Sequence, residues 1–377
     1  MEMRRMDKLG IETSLLGFGC MRFPVNGEGK IDRPRAQEML DKAIAAGVNY
    51  IDTAYPYHNG ESEPFVGEAL KKYDRSSLYI ATKLPVWMVN SVEDAERIFN
   101  EQLEHLQSDY VDFYLLHAMG RERFEAMRDL GVIDRLAQLK EEGKIKYLGF
   151  SFHDSYEVFE EMIHYRDWDF CQIQLNYMDT EEQAGLKGYQ LATDKGIPVV
   201  VMEPVKGGSL ANFAEDITAR FRAMDPEAST ASFTLRYVGS LPGVKVILSG
   251  MSNMEQTEDN LKTFMDFKVL SEKEQQEIQD IVSLLRSRVQ NGCTGCRYCM
   301  PCPAGVDIPG CFQTWNTYHM YQNYDVVRWN WETNLGQSKQ AKNCIQCGKC
   351  EGACPQKISI REDLKKVQKD LDAKIYH

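Results

Sequence analysis

The chain has 377 residues, of which 43% are hydrophobic and 27% charged, so it is long enough for two or three domains with a substantial core. Its formal net charge of −12 argues against nucleic acid and against an anionic membrane as partners, because both would repel it. The start, MEMRRMDKLG, has no apolar signal core, and the longest apolar runs, such as IPVVVM, are too short to span a bilayer, so we expect a cytoplasmic location.

Short apolar, β-branched runs recur up to about residue 265, in the order SLLGFG, NYIDTA, LYIATK, VDFYLLH, KYLGFS, FCQIQLN, IPVVVM and VKVILSG. Between them lie amphipathic stretches such as PRAQEMLDKAIAAG, with apolar residues near a 3.6-residue period. Nearly continuous apolar strands indicate burial on both faces, as in a parallel sheet covered by helices. Eight such units predict a (β/α)8 TIM barrel in the α/β class. A doubly wound sheet is disfavoured, since no glycine-rich dinucleotide fingerprint follows the first strand.

Polar residues stand at or just after the ends of the second, third and fourth predicted strands, namely Asp52, Tyr57, Lys83 and His117. In a barrel these ends meet at one mouth, where catalytic side chains are expected. Each residue alone has a structural explanation, such as a helix cap or a solvated charge, but their joint occurrence favours a site. An ammonium held by a carboxylate is expected to lower the pKa of a neighbouring phenol from about 10. We therefore predict Tyr57 as a general acid for carbonyl reduction, with His117 orienting the carbonyl oxygen.

These residues and their surroundings resemble the aldo-keto reductases over about residues 5–270. The resemblance is carried by LGFGCMRF, IDTAYPYHNGESE, ATKLP, FYLLHA, CQIQLNY and GMSNMEQTEDNL. It implies reduction of an aldehyde or ketone with NADPH or NADH, with Lys83 and Asp52 tuning Tyr57. It places the nicotinamide carboxamide at Ser151 and Gln172. The other cofactor contacts that it implies are Gly19, Cys20, Met21, Asp52, Met202, Asn253, Gln256 and Asn260.

Three positions depart from the family pattern. Phe152 stands where an Asn usually follows Ser151, and Met202 where an aromatic residue usually stacks on the nicotinamide. Gln256, with acidic neighbours, stands where many relatives place an Arg against the 2′-phosphate of NADP, and an amide among carboxylates is a poor phosphate clamp. Lys206 is interpreted as a solvated side chain rather than a substitute clamp. The choice between NADPH and NADH therefore stays open.

Two groups of four cysteines follow a predicted helix that ends at Asn291–Gly292. The second group has the two, two and three spacing with a following proline that is typical of bacterial ferredoxins, and the first differs by one residue in its last step. Such groups also suit zinc, but four cysteines in one run ending in Cys-Pro favour iron and sulfide. Aromatic residues at every third position from Phe312 predict a helix between the groups. We predict a barrel over residues 1–285 and a small, largely helical ferredoxin-like domain over residues 286–377.

Resemblance to two-cluster ferredoxins, in which the fourth cysteine of each run binds the other cluster, implies two [4Fe–4S] clusters. One would be bound by Cys293, Cys296, Cys299 and Cys354. The other would be bound by Cys344, Cys347, Cys350 and Cys302. The remaining cysteines are interpreted as buried thiols, and they are Cys20, Cys171 and Cys311.

Three hypotheses remain for the whole chain. The first is a reductase of a small carbonyl substrate whose clusters are structural, with Trp87 and Met88 lining an apolar pocket. The second is an electron-transfer protein that exchanges electrons with a redox protein partner. It is disfavoured because hydride carries two electrons, a cluster accepts one, and no flavin motif is present to couple them. The third is a non-enzymatic regulatory barrel, as in potassium-channel β subunits, which the complete quartet disfavours.

Overall fold

The structure, a computed structural model, describes residues 1–376. The chain divides into two compact units. The first contains Met1–Lys206 and Ala231–Leu270, and the second contains Gly207–Thr230 and the residues from Ser271 onward. Over the described part of the chain, no helix is both long and apolar enough to cross a membrane.

The strands all belong to the first unit. They are β1 (Met3–Met6), β2 (Ile11–Ser14), β3 (Leu16–Gly19), β4 (Tyr50–Asp52), β5 (Tyr79–Leu84), β6 (Val111–Met119), β7 (Ile145–Phe152), β8 (Phe170–Gln174), β9 (Val199–Met202) and β10 (Val244–Ser249). Strands β3 to β10 form a closed parallel barrel in the order β10-β3-β4-β5-β6-β7-β8-β9, and β1 and β2 form an antiparallel hairpin. The predicted TIM barrel is confirmed.

Helices follow the barrel strands in the alternation that the apolar periodicity predicts. They are α1 (Arg33–Ala45), α2 (Ser62–Leu70), α3 (Val92–Leu106), α4 (Arg121–Asp129), α5 (Val132–Glu141), α6 (Tyr156–Tyr165), α7 (Gly185–Asp194), α8 (Glu215–Met224), α9 (Thr230–Gly239) and α10 (Met254–Met265). Of these, α8 falls in the second unit. Side-chain caps begin several of them; for example, the Ser91 side chain accepts from the backbone N–H of Asp94 at the start of α3.

The inside of the barrel is filled with side chains rather than open. Tyr50, Phe113, Phe170 and Val246 pack there as one buried cluster, together with Met6 of the hairpin. Tyr50 is the first residue of β4, so this cluster and the hairpin occupy the N-terminal end of the strands. The open mouth is therefore the C-terminal end, where the predicted catalytic residues lie.

The second unit is helical, as predicted. Besides α8 it contains α11 (Glu272–Ser287), α12 (Ile308–Tyr321), α13 (Asp325–Trp329), a π-helix (Asn330–Leu335), α14 (Gly336–Lys339), α15 (Lys349–Ala353) and α16 (Ile360–Ala373). Rings from α12, among them Phe312, Trp315 and Tyr318, form its buried core, against which cysteines of both groups pack. The predicted domain boundary at residue 285 lies within the last turn of α11 and stays a prediction.

Candidate active site and cysteine-lined cavities

An ion pair between Lys83 of β5 and Asp52, the last residue of β4, forms the floor of the barrel mouth. The Nζ atom of Lys83 donates to both carboxylate oxygens of Asp52, at 2.7 and 2.8 Å, and to the carbonyl oxygen of Thr53 at 2.7 Å. The side chains of Lys83 and Asp52 are 0% and 4% exposed. Burial works to lower the pKa of Lys83, but the Asp52 carboxylate and the Tyr57 oxygen outweigh it and the net shift is upward. Lys83 is therefore a fixed, charged ammonium.

Tyr57 lies above this pair, in a short 3₁₀ turn (Tyr57–Gly60) after β4. The Nζ atom of Lys83 is 5.1 Å from the centre of the Tyr57 ring. Burial raises the pKa of Tyr57, and the opposing effect of the Lys83 charge does not reverse it. The expectation of a lowered pKa is therefore wrong in its net direction, because desolvation of the phenolate is the larger effect. At neutral pH Tyr57 is a protonated phenol, which is the form that a proton donor requires.

A bulge in β6 directs His117 into the mouth. The register between β6 and β7 shifts here, and Ala118 has a φ of 54°, in the left-handed region. The Ala118 N–H donates to the Ser151 Oγ at 2.7 Å, and the Ala118 carbonyl accepts from an Arg123 Nη at 2.6 Å. Such a conformation costs a residue with a Cβ about 1–3 kcal/mol, so it persists only where its surroundings hold it. Arg123, an exposed helix residue, gave no sequence signal for this role.

The His117 ring is surrounded by aromatic and cationic groups. Its centre lies 6.1 Å from that of Tyr57, in an edge-on arrangement, and 5.1 Å from that of Trp87. The Arg123 guanidinium stacks over Trp87, 5.3 Å from the ring centre. Burial, reinforced by the nearby Lys83 charge, lowers the pKa of His117 to about 3. His117 is therefore a neutral imidazole, which offers a hydrogen-bond donor beside the Tyr57 phenol.

The residues expected to hold the nicotinamide carboxamide lie side by side. The register between β7 and β8 pairs Ser151 with Gln172, and both side chains are buried. The Gln172 Oε1 is enclosed without a hydrogen-bond partner, while its Nε2 donates to the Met202 sulfur at 3.4 Å. A buried acceptor without a donor is unfavourable, and a carboxamide N–H would satisfy it, so these residues fit the group. Phe152 is fully buried against Phe159 and makes no polar contact there.

The expected adenosine end lies at the start of α10, where the polar side chains already bond to the loop. Asn253 caps the helix, accepting from the Gln256 N–H at 2.9 Å. The Gln256 side chain in turn accepts from the Ser252 N–H at 2.8 Å. Asn260 is buried and donates to the Ser249 hydroxyl at 2.8 Å. These bonds fix the loop around the position expected for the nucleotide.

The loop after β3 has close backbone contact with the loop after β10. A Cβ added to Gly19 would lie 3.1 Å from the Ser249 carbonyl oxygen. Cys20 is fully buried and Met21 is 54% exposed. Next to them, the Arg22 side chain covers Gly250, where an added Cβ would lie 3.2 Å from the Arg22 Cβ and Cγ. Arg22 is an exposed cation at this end of the site, and no motif in the sequence pointed to it.

Lys206 is 36% exposed, so it is partly solvated as interpreted, but it is also ion-paired. Its Nζ donates to both carboxylate oxygens of Asp179 at 2.6 Å, and the Asp179 side chain is only 7% exposed. The charge of Lys206 is therefore neutralised by a buried carboxylate, which makes it a weak substitute for the missing phosphate-binding arginine.

The two cysteine groups line two cavities in the second unit. The larger, of about 610 Å³ including its open mouth, is lined by five cysteines, namely Cys299, Cys302, Cys344, Cys347 and Cys350. The smaller, of about 320 Å³, is lined by Cys293, Cys296, Cys299 and Cys354. The smaller cavity thus takes three cysteines from the first run and one from the second, and the larger takes three from the second run and two from the first, with Cys299 lining both. Cys20, Cys171 and Cys311 lie elsewhere, and all are buried as predicted.

Neither cavity resembles a site for a single ion. Among residues 1–376, no three His, Cys, Asp or Glu side chains are arranged so that they could hold a metal ion. The four thiolates around a [4Fe–4S] cluster bind different iron atoms, so they surround a volume rather than converge on a point. The cysteines around each cavity, five at the larger and four at the smaller, are enough for the four thiolate donors that such a cluster requires.

Comparison with known proteins gives two family matches. Residues 15–283 match the aldo/keto reductase family, and residues 292–358 match a 4Fe-4S dicluster domain. The chain is 26% identical to the uncharacterized oxidoreductase YqkF of Bacillus subtilis, covering 74% of this chain and 96% of that protein. It is 30% identical to the NADH-specific methylglyoxal reductase of Escherichia coli over 54% of this chain and 65% of that protein. Among solved structures, the holo form of the aldo-keto reductase AKR11C1 from Bacillus halodurans matches with a TM-score of 0.64 at 26% identity, covering 74% of this chain and 96% of that one.

Proposed function

The chain belongs to the aldo/keto reductase family, and on this premise we propose that it reduces the carbonyl group of a small aldehyde or ketone with NADH or NADPH. The observation that supports this most is the buried Lys83–Asp52 pair beside the Tyr57 ring, which in turn lies edge-on to His117. A protonated phenol and a neutral imidazole beside a fixed cation are the groups that this reaction needs, which supports the proposal. A barrel used only as a regulatory scaffold would not need a buried ion pair in this position.

Each residue of the quartet has one task in the proposed mechanism. The bound nicotinamide supplies the hydride. Tyr57 gives its phenolic proton to the carbonyl oxygen as negative charge develops there, and Lys83 stabilises the phenolate that remains. Asp52 keeps Lys83 charged and in place. His117, neutral at every ordinary pH, donates a hydrogen bond to the same carbonyl oxygen and so orients the substrate.

We propose that NADH serves at least as well as NADPH. The Gln256 side chain is engaged with its own loop, and Lys206 is neutralised by Asp179, so neither offers a free cation to a 2′-phosphate. Arg22 is the exposed cation at this end and would contact a phosphate of either cofactor. Ser151 and Gln172 would hold the carboxamide.

We further propose that the second unit binds two [4Fe–4S] clusters with crossed ligands. Cys293, Cys296, Cys299 and Cys354 would hold one, and Cys302, Cys344, Cys347 and Cys350 the other. The grouping of cysteines around the two cavities supports this assignment, because each cavity contains a complete set of four. Bound clusters would cross-link the two runs covalently and supply one-electron redox centres.

The reductase proposal is tested with protein purified without oxygen, assayed with NADH and with NADPH against an aldehyde panel that includes methylglyoxal. Tyr57→Phe should lower kcat/KM by about 10²–10⁴-fold, because it removes the proton donor. The affinity for the reduced cofactor, measured by its fluorescence, should not change, since the phenol contributes to the transition state rather than to nucleotide binding.

Tyr73→Phe is the matched control. Its hydroxyl donates to Asp41 at 2.6 Å, away from the quartet, so turnover should stay near the wild-type value. Turnover by Tyr57→Phe within about twofold of wild type would rule out the assigned proton donor. Loss of activity in both variants would point to misfolding instead, and circular dichroism separates that case.

A further inference from the structure

The segment that contains the cysteines differs in charge from the rest of the chain. Residues 286–377 contain 13 Lys and Arg against 8 Asp and Glu, a formal charge of +5, although the whole chain carries −12. Residues 1–285, with 31 basic and 48 acidic residues, therefore carry −17. Such an asymmetry produces a strong local field, and fields of this kind steer charged partners to one part of a protein.

Local pairing leaves the excess positive charge on unpaired lysines. Most acidic residues of this segment contact a basic neighbour, in the pairs Arg297–Asp307, Arg328–Asp325, Lys374–Glu332, Arg361–Glu351, Lys365–Glu362, Lys366–Asp363 and His319–Asp370. By contrast, several exposed lysines have no ion-pair partner among residues 1–376, namely Lys339, Lys342, Lys349, Lys357 and Lys369. The excess positive charge is therefore on side chains that are free to meet another molecule.

One of these lysines lines a cysteine cavity, and two others are within two residues of cavity-lining residues in the chain. Lys349 lines the larger cavity, next to the exposed Cys347. Lys357 lies between two residues that line the smaller cavity. Lys342 is two residues before Cys344 in the chain. A partner attracted by these charges would therefore be brought to the cavities.

The larger cavity also has an exposed apolar rim. Tyr298 is 71% exposed and Ile345 66% exposed, and both line the cavity. Large apolar side chains exposed together around one cavity are a feature of surfaces that another molecule covers. An apolar centre with a charged rim is the usual arrangement of a protein–protein interface.

We propose that this face, defined by Tyr298, Ile345, Lys342, Lys349 and Lys357, docks a small acidic iron–sulfur electron carrier of the ferredoxin class. The proposal rests on the clusters of the proposed function and adds the partner and the surface to it. Charge complementarity selects an acidic partner, and the −17 carried by residues 1–285 would repel that partner everywhere else. A carrier with the same kind of cluster transfers single electrons, which matches a [4Fe–4S] centre.

The transfer is balanced without any further reagent. One electron leaves the reduced carrier and enters an oxidised cluster of this chain, so the carrier is oxidised by one electron and the cluster reduced by one. No bond or proton moves. The interface should be weak and salt-sensitive, as transient electron-transfer contacts are.

The test measures binding of an oxidised acidic two-cluster ferredoxin, labelled with a fluorophore, to the cluster-loaded protein by anisotropy in the absence of oxygen. The variant Lys342→Gln/Lys349→Gln/Lys357→Gln should weaken binding about tenfold and flatten its dependence on salt. The matched control is Lys30→Gln/Lys71→Gln/Lys195→Gln, which removes the same charge from exposed lysines of the first unit and should bind within about twofold of wild type. Raising the ionic strength should weaken binding of the wild type, which tests the proposal without any variant.

Equal binding by the two triple variants, or equal binding of a basic cytochrome c, would overturn the proposal. Iron content and carbonyl turnover are measured on the same samples. Full iron and normal turnover without ferredoxin binding would refute the docking face alone. Protein that takes up no iron would refute the clusters of the proposed function, and the docking face with them.

Discussion

Replacing Lys83 by methionine would remove the cation from the floor of the mouth while nearly preserving the length of the side chain. The change deletes three hydrogen bonds, to both Asp52 oxygens and to the Thr53 carbonyl. It leaves a carboxylate that is 4% exposed without a partner. Breaking a buried ion pair from one side costs about 3–5 kcal/mol, so the free energy of unfolding should fall by that amount near pH 8.

The stability that Lys83→Met loses relative to the wild type should depend on pH. Burial already raises the pKa of Asp52, and Lys83 is the group that opposes this. Without Lys83 the folded-state pKa rises further above the unfolded value of about 3.9. A carboxyl group with a raised folded pKa is neutral in both states at low pH, and its cost grows as the pH rises through the folded pKa. The difference between Lys83→Met and wild type should therefore shrink as the pH approaches 4.

Urea unfolding followed by circular dichroism measures this effect, in a double-mutant cycle with Asp52→Asn. The double variant has no buried charge and should be more stable than Lys83→Met at pH 8, with a coupling energy of at least about 2 kcal/mol. Lys71→Met, at an exposed position, should change stability by less than about 0.5 kcal/mol. A coupling energy near zero, or a loss below about 1 kcal/mol for Lys83→Met, would show that Lys83 does not stabilise the buried Asp52 carboxylate.

Three further outcomes follow from the site and the cavities. Burial holds the pKa of His117 at about 3, below its unfolded value of about 6.5, so protonation of the unfolded chain destabilises the wild type as the pH falls. Between pH 7 and pH 5 the free energy of unfolding should therefore fall by about 1–2 kcal/mol more for the wild type than for His117→Asn. Equal losses in urea titrations would contradict this. In steady-state assays Gln256→Arg should lower the KM for NADPH about tenfold and leave the KM for NADH nearly unchanged. An unchanged KM for NADPH would argue against the proposal that the adenosine end of the cofactor binds at Gln256. In metal analysis Cys302→Ser/Cys344→Ser should retain about four iron atoms per chain, because both changes affect the same proposed cluster. Cys299→Ser/Cys302→Ser should retain none, because it removes one ligand from each cluster. The reverse result would indicate that each cluster takes its ligands from a single run.

Much of the architecture could be predicted from the sequence because it depends on periodicity. Continuous apolar runs separated by amphipathic stretches leave few alternatives to a barrel. The quartet could be predicted to share one mouth, since parallel strands bring their C-terminal ends together. The direction of the net pKa shift of Tyr57 could not be predicted. It depends on the balance between the burial of the phenol and its distance from the Lys83 charge, and the sequence pattern shows neither quantity.

The other features that the sequence did not predict also depend on the tertiary structure. Lys206 finds its carboxylate, Asp179, 27 residues earlier in the chain, so the pairing depends on how the strands close. Arg123 reaches the mouth only because Ala118 adopts a left-handed conformation that exposes its carbonyl. For the cysteines, the spacing of the runs indicates iron and sulfide, whereas the exposure of Tyr298 and Ile345 beside them depends on the folded surface.

The sharing of each cavity between the two cysteine runs has a consequence for biosynthesis. A nascent chain that has emerged only as far as Cys302 contains no complete set of four around either cavity, and 41 residues must still be synthesised before Cys344 appears. If clusters bind with the proposed ligands, their delivery would therefore have to follow translation of nearly the whole polypeptide.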